Sequence, residues 1–212
     1  MRNLLPLLVI LLTLNSCGQS VLNLSDNKFT SEKYFPNSIN YQWIYKVTDE
    51  INKTTDTVFV KIVADTVISN RPYMIWEYNY NDRKEKYYYS NNEDSITIMK
   101  FKGNNTFYKY DTTQLFIIPF EFEFQQQWEI PGRFPYNWFH NNRVIDIHEI
   151  VMIGPNKYNS VILIKTEGAT NHKQYNEKIW FKPKLGIIRR EIYITGWGVE
   201  NITWELIDCN IE

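Results

Sequence analysis

Thr57-Val58-Phe59-Val60-Lys61-Ile62-Val63-Ala64-Asp65 is the stretch whose reading decides the fold class. In an extended chain it puts Val58, Val60, Ile62 and Ala64 on one side, and Phe59, Lys61, Val63 and Asp65 on the other. β-Branched and aromatic residues in a period of two are a strand signal. The pattern continues in both directions. Met74, Trp76, Tyr78 and Tyr80 share a face in Tyr73–Tyr80, and Glu85–Ser90 carries Tyr87-Tyr88-Tyr89 before an Asn91-Asn92 turn. Ile96 and Ile98 align in Ser95–Phe101, and Gly103-Asn104-Asn105 turns the chain again. Val144–Ile153 leads into Gly154-Pro155-Asn156, and further strands are expected at Ser160–Glu167, Glu177–Phe181, Ile187–Thr195 and Ile202–Asp208.

No long amphipathic helical stretch separates these segments. Parallel strands need crossovers of a dozen or more residues, so the pattern predicts an all-β, mainly antiparallel fold. A single curled meander sheet forming a barrel, half-barrel or sandwich satisfies it. Phe116–Trp138, with Pro119, Pro131 and Pro135, is expected to be irregular and to cross the mouth or one face of the sheet.

The chain has 212 residues, is 43% apolar and 22% charged, and carries a formal net charge of −1. That balance excludes a disordered tail and gives no basis for holding nucleic acid by phosphate neutralisation. The 15 Tyr, 12 Phe and 7 Trp suit strands around a large core.

Arg2 followed by the apolar run Leu4 to Leu14 reads as a secretory signal, because a spanning helix needs roughly 20 apolar residues. Leu14-Asn15-Ser16-Cys17 then resembles the lipobox of bacterial lipoproteins. That resemblance implies a diacylglycerol on the Cys17 sulfur, cleavage before Cys17 and palmitate-type acyl chains holding the protein on a membrane. Gly18 stands where Asp would retain a lipoprotein in the inner membrane in some bacteria, so outer-membrane delivery, with the domain on the periplasmic side, is the expectation. The organisation is then a signal peptide over 1–16, a lipidated Cys and flexible tether over 17–33, and one β domain over 34–212. Cys209 is the second of two cysteines, so lipidation of Cys17 excludes an intrachain disulfide and leaves the fold to its core.

Candidate chemistry is sparse. His140, His148 and His172 have no metal-ligand spacing, and no nucleophile elbow, phosphate-binding loop or dinucleotide fingerprint occurs. Glu121 and Glu123 in Pro119–Phe124 would lie about 6.5–7 Å apart on a strand, a separation open to glycosidase chemistry. The simpler reading turns Phe120, Phe122 and Phe124 to the core and both carboxylates to water. Most of the aromatics are expected in core and cross-strand pairs. A pocket for an apolar or amphipathic ligand would draw on Trp43, Trp76, Tyr78 and Trp180, and a glycan-stacking platform on Trp128, Tyr136, Trp138 and Phe139.

Two further segments carry a family resemblance. Tyr34-Phe35-Pro36 with Asn40-Tyr41-Gln42-Trp43-Ile44-Tyr45, and the late Trp180-Phe181-Lys182-Pro183-Lys184-Leu185-Gly186 hairpin running on to Glu191, resemble small bacterial lipoproteins of unassigned activity. The resemblance implies a shared β scaffold. The expected function is therefore a lipid-anchored envelope protein, non-catalytic and without cofactor or metal, that binds an apolar or amphipathic ligand or acts as a scaffold. An interaction module of an outer-membrane complex, or a glycan-binding or glycan-processing protein, is the alternative. Expected partners are the membrane through the acyl chains and a hydrophobic ligand or envelope protein.

Overall fold

The computed structural model describes residues 35–211 apart from 69, 92–94, 102–111, 120–121, 131–138, 170–171 and 197. The strands are β1 (Gln42–Asp49), β2 (Thr54–Ile68), β3 (Arg71–Asn79), β4 (Lys84–Asn91), β5 (Ser95–Phe101), β6 (Thr112–Pro119), β7 (Gln127–Ile130), β8 (Phe139–Ile153), β9 (Asn156–Ala169), β10 (Gln174–Lys182), β11 (Gly186–Thr195) and β12 (Glu200–Asn210). All pairings are antiparallel, in the order β6-β5-β4-β3-β2-β1-β12-β11-β10-β9-β8-β7. The fold is thus two six-stranded meanders joined where the first strand meets the last, with Trp43 opposite Cys209 and Val47 opposite Trp204.

Connectivity forces this sheet to curl. β6 and β7 are adjacent in sequence yet lie at opposite edges. Eleven interstrand steps of about 4.8 Å would put them about 53 Å apart on a flat sheet, whereas the link from Pro119 to Gln127 reaches at most about 28 Å. The edges must therefore approach one another, giving the expected curled sheet with an inner concave face.

The segment expected to be irregular contains the end of β6 and all of β7. Its middle part returns over the concave face, where the Phe122 ring packs 6.0 Å from Phe181 of β10. Backbone bonds from Gln125 N–H to Val144 O and from Val144 N–H to Gln126 O then deliver it to the β8 edge. The Phe–Glu alternation does not continue as a strand. The chain turns at Phe124-Gln125, with Gln125 at φ 70°, and Phe124 is 59% exposed instead of facing the core. Glu123 is exposed, while Phe120 and Glu121 lie outside the described residues.

The concave face carries the core. Val58, Val60, Ile62, Ile164, Ile188 and Leu206 are fully buried and line its floor. The chain leading into β1 crosses above them. Phe35 is 2% exposed and stacks against Trp76 (5.1 Å), Tyr89 (5.6 Å) and Phe181 (5.8 Å), so one ring joins β3 and β4 to β10. Gly186 opens β11 at φ +91°, and a Cβ there would stand 3.5 Å from the Phe35 ring. Phe35 and Gly186, noted as separate features of the sequence, meet here.

Cys209 departs from expectation. It is disulfide-bonded rather than a free thiol. The only other cysteine in the chain is Cys17, which lies outside the described residues along with the signal, the lipobox and the tether.

Candidate functional site

The aromatic residues expected to line a pocket occupy distinct places. Trp43 and Trp76 are stacked on each other at 4.4 Å, and Tyr89 stacks on Trp76 at 4.3 Å. Their polar edges are satisfied, because Trp43 Nε1 donates to Leu185 O at 2.8 Å and Trp76 Nε1 to Asn37 Oδ1 at 3.4 Å. These two tryptophans are core. Trp180 is also buried and belongs to the core cluster, at a register shift between Trp180 and Phe181, with the Arg189 guanidinium 5.2 Å from its ring. Trp128 is half-buried and its carbonyl accepts from Asn142 Nδ2 at 3.3 Å. Tyr136 and Trp138 lie outside the described residues, as do the side chains of Phe139 and His140.

Tyr78, also among the expected residues, is only partly buried and packs against the core cluster. On the same concave face as the core, Tyr78, Tyr80, Tyr87 and Trp204 are only partly buried while packing against the core cluster. Trp204 meets Tyr45 (5.7 Å), Tyr78 (6.5 Å) and Tyr80 (6.1 Å) edge-on, and Tyr78 meets Tyr87 at 4.8 Å. β12 and β3 are separated by β1 and β2, so curvature is what brings Trp204 to Tyr78 and Tyr80. One end of the concave face is thus shut by stacked rings, and the other presents an aromatic wall that water reaches.

Polar groups are set among these rings. In β11, Ile188, Arg190 and Ile192 share the inner face, while Arg189 points outward to Glu191 (2.7 Å) and Glu205 (3.7 Å). In β10, Glu177 shares the inner face with Ile179 and Phe181. Arg190 Nε donates to Glu177 Oε1, and Tyr175 Oη donates to Glu177 Oε2 at 2.6 Å. The Glu177 side chain is 2% exposed, whereas that of Arg190 is 37% exposed. Beside this pair, Thr166 Oγ1 donates to Asn142 Oδ1 at 2.7 Å, and both residues are buried. At the rim, Arg83 lies 4.1 Å over the Tyr80 ring and bonds Glu85, which also accepts from Tyr87 Oη at 2.6 Å.

Electrostatics fix the charge states. Burial opposes the charge of Arg190, but Glu177 and then Tyr175 outweigh it, and the guanidinium is held above even its ordinary range. Burial raises Tyr45, Tyr78, Tyr80 and Tyr175, and for all four the Arg190 charge acts in the opposite direction, which places the guanidinium close to them. At neutral pH the site holds one permanent cation and a set of neutral phenols, with both Glu177 oxygens engaged in hydrogen bonds.

No family model matches the chain, and no curated protein matches it. Among solved structures, a Bacteroides fragilis protein provisionally named as exported, with a YmcC-like fold, is 7% identical over 84% of this chain and 98% of that chain, with a TM-score of 0.49. A Parabacteroides distasonis protein provisionally named as a lipoprotein is 10% identical over 84% of this chain and 99% of that chain, with a TM-score of 0.47. These similarities assign no activity to the chain.

The other sequence candidates do not converge on a site. His148 is exposed, with its backbone N–H on Asp146 Oδ1 at 2.7 Å, and His172 is exposed in the turn before β10. Among the described residues no three His, Cys, Asp or Glu side chains gather as metal ligands. A shallow cleft of about 250 Å³ lies on the outer face over Lys165, Lys178, Glu191, Tyr193 and Asn201. Sequence reasoning missed Arg190, Glu177 and Trp204. The signal was present as Arg190 in phase with Ile188 and Ile192, and Glu177 in phase with Ile179 and Phe181.

Proposed function

We propose that this is a lipid-anchored protein of the bacterial envelope that binds an apolar or amphipathic molecule on its concave face without transforming it. One observation carries the binding half of the reading. Tyr78, Tyr80, Tyr87 and Trp204 are only partly buried on the concave face, beside a core of fully buried side chains. Exposed aromatic surface beside a few oriented polar groups is the composition of a small-molecule site. The anchor rests on Leu14-Asn15-Ser16-Cys17 after its apolar run, which would keep the site within tether reach of a membrane.

A sulfur that carries the thioether cannot enter a disulfide, so lipidation of Cys17 and a disulfide from Cys17 exclude each other. Metabolic labelling with a fatty acid separates the two states. Label is expected on the wild-type protein and not on Cys17→Ser, and equal label on both overturns the anchor. For binding, native mass spectrometry of the protein extracted from envelopes is expected to show a co-purifying amphiphile whose occupancy falls in Trp204→Ala. Unliganded protein throughout, with no uptake of added amphiphile, overturns it.

A second reading, an interaction module, is favoured by the outer face of β2. Phe59, Val63 and Val67 are exposed there at 51%, 36% and 69%. Phe59→Ser would then weaken capture of an envelope partner while leaving amphiphile uptake intact.

A further inference from the structure

We infer that the concave site recognises an amphiphile with an oxyanion head, a carboxylate or phosphate, held by the outer edge of the Arg190 guanidinium while its tail lies against Trp204 and Tyr78. This rests on the ligand-binding reading above and names the ligand class.

The argument starts from hydrogen-bond capacity. A guanidinium has five N–H donors in a rigid fork. Nε is engaged by Glu177 Oε1, and the second Glu177 oxygen is taken by Tyr175. Glu177 therefore neutralises and orients the fork, with each of its oxygens already engaged. It is almost wholly buried, while the Arg190 side chain keeps more than a third of its surface open. The guanidinium also bonds Tyr175, and the N–H donors left over suit the oxygens of a carboxylate or phosphate. Ile192, one step along the same face, and Trp204, directly opposite Arg190 in the β11–β12 register, give apolar flanks. Here one partner is buried as a support and the other is presented.

The test uses full-length Cys17→Ser protein and follows tryptophan fluorescence with dodecanoate, dodecyl phosphate, dodecanol and inorganic phosphate. Both heads are kept ionised. The two anionic amphiphiles are expected to bind about tenfold or more tightly than dodecanol, the gain of a charge-assisted hydrogen-bond pair. The Glu177→Gln, Arg190→Gln double variant, which keeps the buried pair neutral, is expected to lose that preference while holding dodecanol as before. Arg190→Lys keeps the charge but not the fork, and is expected to retain only part of the preference. Equal binding of anion and alcohol overturns the head-group site and leaves the concave-site reading standing. Binding of none of the amphiphiles overturns both. Inorganic phosphate competing as well as dodecyl phosphate overturns the amphiphile assignment in favour of a free anion. If the double variant does not fold, an unchanged preference in Arg190→Lys overturns the role of the fork.

Discussion

Position 190 holds an arginine where its neighbours on the same face, Ile188 and Ile192, would lead one to expect an aliphatic side chain. The asymmetry of the Arg190–Glu177 pair sets the cost of disturbing it. Removing the guanidinium strands a carboxylate that is 2% exposed, whereas removing the carboxylate leaves an arginine that water already reaches. Arg190→Gln is therefore expected to destabilise by about 2–4 kcal/mol, discounted for the open side of the arginine, and Glu177→Gln by about 1 kcal/mol. The double variant should recover part of the Arg190→Gln loss, since no unpaired charge remains buried. Urea midpoints of the three variants measure this. Equal losses for the two single variants would mean that both partners are equally desolvated.

Among the elements, the segment entering β1 matters more than its position near one end of the sheet suggests. Phe35 is not part of a strand, yet it stacks on rings from β3, β4 and β10 and so ties the two meanders together across the concave face. Phe35→Ala is expected to cost about 3–5 kcal/mol, as for any large ring removed from a packed core. Phe124→Ala, in the linker turn with its ring 59% exposed, is expected to cost less than about 0.5 kcal/mol. Phe122, half-buried against Phe181, belongs between them. Gly186→Ala should destabilise as well, by about 1–3 kcal/mol, because the position needs φ +91°, which L side chains rarely adopt. Denaturant midpoints give the order. A Phe35→Ala protein as stable as wild type would show that the meanders hold together through β1–β12 pairing alone.

For the whole molecule, the density of buried phenols makes stability depend on alkaline pH. Burial is the largest cause raising Tyr45 and Tyr89, both in the core, above their ordinary value near 10. Each is then neutral in the folded state at a pH where the unfolded chain has begun to lose its proton. Stability from these groups is complete below about pH 10 and falls as pH rises above it, towards the higher folded values. A thermal midpoint that is flat from about pH 7 to 9.5 and falls beyond about pH 10 is expected, with phenolate absorbance rising together with loss of near-ultraviolet dichroism. Gradual phenolate formation near pH 10 with the dichroism retained would show that the rings are open to water.

Some of this was written locally in the sequence. Side-chain alternation is set by two or three neighbouring residues, so Val58, Val60 and Ile62 declared a strand, its buried face and an antiparallel all-β fold without any tertiary information. The Gly154-Pro155 turn and the late Gly186 hairpin were legible for the same reason. Glu177 and Arg190 stand in phase with buried aliphatic neighbours, but alternation alone does not say what lies opposite them, and their role was missed. That depended on β1 closing against β12 and on a short linker drawing β6 towards β7, which curls the sheet and brings Trp204 and Arg190 to Tyr78 and Tyr80. The same packing made Trp43 and Trp76 a filled core instead of a pocket lining, because the Phe35 ring comes down on them from outside the strands. Pairing between strands far apart in the chain is settled by the summed burial of the whole sheet, and no window of sequence contains that sum.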